Sequence, residues 1–476
     1  MGCRLVKLNR LDFFSLERNL RVGKKGTLLI VVLLIVTVLV SVFVWVSVSV
    51  PGEGNTELPS GGSSPVPTPV GKTPENSNPL NAIGNALGQA LNAATGGLVS
   101  ASKPAGLVEG SKVVDSVVWR KIAANAWRYF QPGTGVDSTT GLPGASFGFP
   151  CFTDWDLGVY IQSVLDAQTI GLIGRSGEWG ADYRLNKVLV FLETRELNAT
   201  TGFPYWFYQA GNSSDYSVLS DYGEGVDAAD TGRLFVALSN LRDYNPAWAS
   251  RVNSIVSRCP YESIVGALRS QSNSSTSIYA YYAVSGFACF FPELASAPDK
   301  ILSNMLNAGN VTTYGVTLPK AEISCEPLLC SLFELPANDR LAGLARQVYL
   351  AHEARFNQTG EYVAFSEGNF GVSDFIYEWV VLPDGQTWNV TKGNHESFDV
   401  KPVIYNKVAF SFLALYNSTF AKDTVVYLER ALPDPFFGYY EGADYNSNVD
   451  DRSIVLQVGS NTNGLILEAA RYALER

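Results

Sequence analysis

The links between helical stretches in this chain alternate between long and short, and that alternation restricts the fold more than any single motif. From Val113 onward, apolar residues recur at helical spacing in twelve segments, about 113–130, 157–169, 182–197, 230–242, 247–259, 277–290, 297–308, 326–335, 339–357, 404–415, 420–432 and 463–476. After odd-numbered segments the links run about 25, 32, 17, 17, 46 and 30 residues; after even-numbered ones, about 12, 4, 6, 3 and 4. A short link forces an antiparallel hairpin of helices. Long links at every second junction then gather the irregular chain on one face. The predicted fold is all-α, an (α/α)6 toroid of about twelve helices with the even-numbered ones inside. Those inner segments carry the apolar and aromatic runs, such as Ile278-Tyr279-Ala280-Tyr281-Tyr282 and Val408-Ala409-Phe410-Ser411-Phe412. The long links surround the N-terminal ends of the inner helices, where function is expected.

The first 110 residues are of another kind. Thr27 to Val50 is 24 residues without a charge, about 36 Å as a helix and enough to cross a bilayer. Seven basic residues precede it, from Arg4 to Lys25, and the next basic residue after it is Lys72. This asymmetry predicts a transmembrane signal anchor at 27–50, a cytoplasmic tail at 1–26 and an extracytoplasmic remainder, in the cell membrane as a single pass. A cleaved signal peptide is the competing reading, but the apolar run is too long and no small-residue cleavage site follows it. Residues 51–79 hold seven Pro, five Gly and four Ser, so 51–110 reads as stalk and linker and 111–476 as the folded domain. With the nine charges of the first 50 residues set aside, 28 basic and 43 acidic residues remain, a balance of −15. Such a surface repels polyanions, which excludes nucleic acid and acidic polysaccharide and leaves a neutral oligo- or polysaccharide as the expected partner. Seven Asn-X-Ser/Thr sequons, the first at Asn198, fit an exposed glycoprotein surface. Five cysteines follow the anchor, which permits two disulfides and one free thiol in unknown pairing.

The candidate chemistry lies in the long links and inner-helix starts. Asp154-Trp155-Asp156 opens the second segment, where helix N-termini stabilise negative charge; either Asp could instead be a simple N-cap. Asp230 and Arg233 stand at i, i+3 in Asp230-Thr231-Gly232-Arg233, as substrate ligands or as a cap with an intrahelical ion pair. In the longest link, residues 358–403, Phe375–Leu382 and Gln386–Val390 flank Pro383-Asp384-Gly385 and predict a β-hairpin over the mouth of the ring. It carries Glu378 and Trp379, with Glu367 before it; a solvent-facing Glu378 is the plain alternative. Tyr440 and Glu441 lie between glycines, and Asn461 and Asn463 precede the last helix as possible caps or ligands. Carboxylate pairs beside aromatic faces are what glycosidic hydrolysis requires. Asp444, Asn446, Asn448 and Asp450 match half a calcium loop, but Val449 and Val455 replace the Gly and Glu it needs; no metal or other cofactor is expected. Two histidines, His352 and His395, leave little material for triads or zinc.

Asp154-Trp155-Asp156-Leu157-Gly158, Asp230-Thr231-Gly232-Arg233-Leu234, Lys407-Val408-Ala409-Phe410, Tyr440-Glu441-Gly442 and Asn461-Thr462-Asn463-Gly464-Leu465 together resemble a glucoamylase-like domain family of unassigned function found in archaeal and bacterial envelope proteins. The resemblance covers about residues 115–476. It implies kinship in fold with glucoamylases and endo-β-1,2-glucanases, an (α/α)6 barrel, and carbohydrate chemistry by inversion. In glucoamylases the general base lies in the loop before the last helix, which corresponds to Glu441. The acid lies between helices five and six, where this chain offers only Glu262. The expectation is therefore a membrane-anchored glycoside hydrolase with Glu441 as base, Asp156 or Glu378 as acid, and Trp155, Asp230, Arg233, Glu367, Trp379, Tyr440, Asn461 and Asn463 binding substrate. A non-catalytic glycan-binding or cell-surface structural protein is the alternative.

Overall fold

Thirteen helices occupy the described part of the chain: α1 Ser116–Ala126, α2 Asp154–Thr169, α3 Ala181–Thr194, α4 Ala228–Tyr244, α5 Ala249–Val256, α6 Glu262–Gln271, α7 Ile278–Ala288, α8 Ala297–Asn307, α9 Cys325–Glu334, α10 Asp339–Thr359, α11 Asn406–Tyr416, α12 Thr419–Tyr427 and α13 Ser460–Leu474. The computed structural model describes residues 114–211, 226–370, 374–393, 396–428, 436–444, 454–455 and 457–476. The expected anchor and stalk, and Asn446, Asn448 and Asp450 of the calcium-like motif, lie outside the described residues. Among the described residues no helix is long and apolar enough to cross a membrane.

Six helices form a closed inner ring. α2 packs on α4, α4 on α7, α7 on α9, α9 on α11, α11 on α13, and α13 returns to α2. The outer helices back them: α1 against α13, α3 against α2, α8 against α7, α10 against α9 and α12 against α11. The third outer place is taken by α5, which leans on α3 and α4, and the unforeseen α6 follows it. α6 buries only Val265 and Leu268, a stripe too thin to register as a helical period. Its Glu262 is exposed.

Inner helices are buried on nearly every side, which is why their sequences lack an amphipathic pattern: in α2 all residues from Asp154 to Ala167 are buried. Glycines set how closely they approach. A Cβ on Gly286 of α7 would lie 2.0 Å from the Gly232 carbonyl oxygen of α4, and one on Gly232 would lie 2.5 Å from the Ala283 Cα. A Cβ on Gly158 of α2 would lie 3.0 Å from the Arg233 backbone, and one on Gly464 of α13 would lie 2.4 Å from the Val159 side chain. Three inner helices, α2, α4 and α7, therefore meet through backbone, and α13 admits a valine of α2 against its own.

Short strands tie the long links together above the ring. β1 (Cys151–Phe152) pairs with β2 (Tyr208–Gln209), joining the links that precede α2 and α4. The expected hairpin is present as β6 (Asp374–Val381) and β7 (Thr387–Thr391), and β5 (Glu367–Phe370) adds a third antiparallel strand. β8 (Val403–Tyr405) pairs with β9 (Gly442–Asp444), which pairs with β10 (Ile454–Val455), so the links before α11 and α13 share a sheet. Asp444 is thus a strand residue opposite Val403. Cys259, Cys289, Cys325 and Cys330 carry thiols, so the two disulfides that the cysteine count permits are absent among the described residues; Cys325 and Cys330 share one helix and the others sit in separate links. His352 is structural: it is buried in α10, with Nδ1 on the Val348 carbonyl and Nε2 accepting from the Phe365 N–H.

Gly286→Ala should lower the unfolding free energy by about 3 kcal/mol in denaturant melts, because backbone must move to admit a methyl group. Gly266→Ala, on exposed α6 with nothing within 4 Å, should raise it by up to about 1 kcal/mol.

Candidate active site

All six inner helices begin at the same end of the ring, and each contributes a polar first-turn or capping residue there: Asp156 from α2, Asp227 and Asp230 from α4, Tyr279 from α7, Glu326 from α9, Lys407 from α11, and Ser460 and Thr462 from α13. Thr153, not either Asp, is the N-cap of α2. Its N–H donates to Asp156 Oδ2 at 3.0 Å and its hydroxyl accepts from the Trp155 N–H at 3.1 Å, a capping box. Ser460 Oγ donates to Asp156 Oδ1 at 2.8 Å, and Thr153 also hydrogen-bonds the half-buried Asp230. Burial, and then the neighbouring Asp227 and Asp156 charges, hold the Asp230 carboxyl well above the usual range. Burial likewise raises Asp156, opposed by its hydrogen bonds and by Arg233.

The other half of the circuit centres on Lys407. This buried ammonium is ion-paired with Glu326, itself 1 % exposed. Glu441 and Glu367 act on Lys407 as further negative neighbours and help raise its pKa against the burial that lowers it. Thr462 Oγ1 donates to Glu441 Oε2 at 2.7 Å. The Glu441 carboxylate is packed between two glycine backbones: a Cβ on Gly459 would lie 2.7 Å from Oε1, and one on Gly368 would lie 3.1 Å from Oε2. Burial raises the Glu441 carboxyl, while Lys407 and Thr462 pull it down. Glu367, at the start of β5, accepts a hydrogen bond from Tyr279. Burial and the Glu326 charge push its carboxyl up to about 8, against the lowering effect of Lys407 and Tyr279. Trp379 and Tyr377, on β6, pack edge-on against the Tyr279 ring at 5.8 and 6.3 Å.

Asp156, Asp230, Glu367 and Glu441 thus share one rim, with Trp379 beside Tyr279. Asn461 is half-buried at the first turn of α13, and Tyr440 is half-buried beside Glu441, its carbonyl accepting from Asn406 Nδ2 at 3.0 Å. Four other expected residues have different work. Glu378 is neither solvent-facing nor open to substrate: it is fully buried, and its oxygens accept from the Val403 and Ser366 N–H groups at 2.6 and 3.2 Å. The two N–H groups, one just before β5 and one on β8, find their acceptor in this side chain. Asn463 clamps the Glu441 loop, accepting from the Tyr439 N–H at 2.8 Å and donating to the Tyr439 and Gly459 carbonyls at 3.1 and 2.9 Å.

Arg233 is the third. It makes no ion pair with Asp230, because Asp227 caps α4 and Arg233 points inward. Its guanidinium meets Glu334 of α9 at 2.8 Å, Glu468 of α13 at 3.1 Å and Cys330 Sγ at 2.7 Å. The Trp155 ring lies 4.8 Å from it, which assigns Trp155 to the same buried layer, though the indole N–H finds no protein partner among the described residues. Cys330, Glu334 and Glu468 have the spacing of metal ligands, but Arg233 sits among them and supplies the positive charge a cation would bring.

Lys407, Glu326, Tyr279 and Tyr405 escaped the sequence reading. Glu326, Lys407 and Tyr279 lie in first turns of inner helices, so applying the rule that singled out Asp154 and Asp156 to every inner helix would have found those three. Tyr405 precedes its helix on β8 and carries no such signal.

Residues 121–475 match the family described as "Protein of unknown function (DUF3131)". Similar solved structures include a "putative glucoamylase" from Bacteroides caccae, 13 % identical over 75 % of this chain and 94 % of that one, TM-score 0.53. An endo-β-1,2-glucanase from Chitinophaga pinensis, in complex with sophorotriose and glucose, is 12 % identical over 76 % and 94 %, TM-score 0.51. An endo-β-1,2-glucanase mutant from Talaromyces funiculosus, with β-1,2-glucan, is 9 % identical over 75 % and 84 %, TM-score 0.50. Identities this low establish a shared fold. No curated protein matches the chain.

The raised Glu367 carboxyl has a consequence for stability. Between the unfolded value of about 4.3 and the folded value of about 8, the native protein holds more protons at this group than the unfolded chain, so stability falls as pH rises across that window. Glu367→Gln keeps an acceptor for Tyr279 and removes this loss. Its melting temperature should fall a few degrees less than that of the wild type between pH 5 and pH 8; an equal decline would mean that Glu367 ionises normally.

Proposed function

This chain belongs to the DUF3131 family, and on that premise we propose that it is a glycoside hydrolase acting on a neutral glycan by inversion. The supporting observation is the circuit at the rim, in which Glu367, a carboxyl that stays protonated to about pH 8, and Glu441, a second buried carboxyl, both act on Lys407. One carboxyl as acid and another as base are what the reaction needs. Glu367 gives its proton to the leaving glycosidic oxygen. Glu441 takes a proton from the attacking water. Tyr279 begins α7, near the place where the glucoamylase resemblance puts the acid, and it holds Glu367 there. Asp156 serves the cap and Ser460, and Glu378 serves backbone, so neither is the acid. Half-buried Asp230, Asn461 and Tyr440, with the half-buried rings of Tyr279 and Tyr377, suit sugar hydroxyls and ring faces; Trp379, buried with its indole N–H on Thr391, backs those rings.

The reading extends to placement. The uncharged run 27–50 and the basic residues before it support a membrane anchor with the catalytic domain outside the cytoplasm, which protease accessibility in intact cells would test.

A second reading, glycan binding without hydrolysis, is favoured by one feature: Glu326 is already neutralised by Lys407 next to Glu441. Incubating the purified protein with neutral glucans, β-1,2-glucan among them, separates the two. Hydrolysis with inverted anomeric configuration is expected, and Glu441→Gln and Glu367→Gln should each lower kcat by roughly a thousandfold. Sugar binding without release of reducing ends would establish the second reading instead.

A further inference from the structure

Tyr405 is fully buried, and its hydroxyl has no hydrogen-bond partner among the described residues. A buried hydroxyl left unpaired is costly, so a group retained in that state points to a ligand outside the chain. Its position is fixed on two sides. β8 pairs with β9 so that Tyr405 stands opposite Gly442, the residue after Glu441, and the Tyr405 N–H donates to the Ala364 carbonyl at 3.2 Å. The ring is held by Lys407, whose ammonium lies 5.2 Å from its centroid.

Gly368 shows where the hydroxyl lies. This residue has φ +152°, and a Cβ built on it would be 3.3 Å from the Tyr405 hydroxyl oxygen and 3.1 Å from Glu441 Oε2. The Tyr405 ring edge, 2.8 Å from that Cβ position at its nearest carbon, packs on the glycine backbone, and the phenol hydroxyl and the carboxylate oxygen lie on the same side of Gly368. Burial and the Glu378, Glu441, Glu367 and Glu326 charges keep the phenol protonated as a donor throughout the ordinary pH range.

We propose that Tyr405 is a catalytic residue that, with Glu441, holds the attacking water. The inference rests on the hydrolase reading above. The phenol O–H donates to one lone pair of the water, and Glu441 accepts one of its hydrogens. The second lone pair attacks the anomeric carbon as the bond to the leaving oxygen breaks. Glu441 receives the water proton, Glu367 delivers its own to the leaving oxygen, and the remaining O–H becomes the new anomeric hydroxyl. Tyr405 ends the step as it began.

Tyr405→Phe removes one oxygen and keeps the ring under Lys407. Expected is a fall in kcat of roughly 10- to 100-fold with KM changed less than about threefold, and a melting temperature equal to or above that of the wild type. A structural tyrosine would lose stability instead. Unchanged kcat, or a rise in KM alone, would overturn the assignment while wild-type hydrolysis leaves the hydrolase reading intact. If the wild type hydrolyses no glucan, both fall together.

Discussion

One guanidinium holds the middle of the ring. Arg233 comes from the second inner helix and binds carboxylates on the fourth and sixth, Glu334 and Glu468, while rings from the first and third, Trp155 and Tyr282, pack against it. Burying a charge of this size is unfavourable unless it is fully paired. Here the pairing is local: Glu334 and Glu468 both reach the guanidinium, and burial and the nearby Glu334 charge hold the Glu468 carboxyl well above its usual range. Five of the six inner helices meet through this group, a connection that neighbour-to-neighbour packing alone would not supply.

With the axis filled, chemistry is confined to the end where the inner helices begin. Six helix N-termini converge there, each with unpaired N–H groups and a partial positive charge. That field offsets part of the cost of gathering Asp156, Asp227 and Asp230 on one side of the rim and Glu326, Glu367 and Glu441 around the buried Lys407 on the other. Lys407 divides the acids unequally: it pairs directly with Glu326, opposes the burial of Glu441, and leaves Glu367 protonated well above the ordinary range. The same few groups position the loops and set which acid carries a proton.

The alternation of link lengths placed the loops, and the apolar runs placed the inner helices, because both follow from local chain properties: how far a link reaches and which residues avoid water. Asp156 and Glu441 were legible for the same reason, as acids beside a helix start or in a glycine-flanked turn. Arg233 and Glu378 were misread because their partners lie far along the chain. Arg233 is spaced to pair with Asp230, yet it turns to residues about a hundred and more than two hundred positions away. Glu378 alternates in a strand as a surface residue would, but a neighbouring loop covers it.

By itself, then, the sequence determined the helical class, the closed ring of hairpins and the end at which polar residues collect, since periodicity and link length act over one or two elements. Only the tertiary structure decided which carboxylates stay protonated, which are spent on backbone or on Arg233, and that Tyr405 and Glu441 lie on the same side of Gly368. Those outcomes depend on burial and on charges brought together from distant segments, and neither has a local signature.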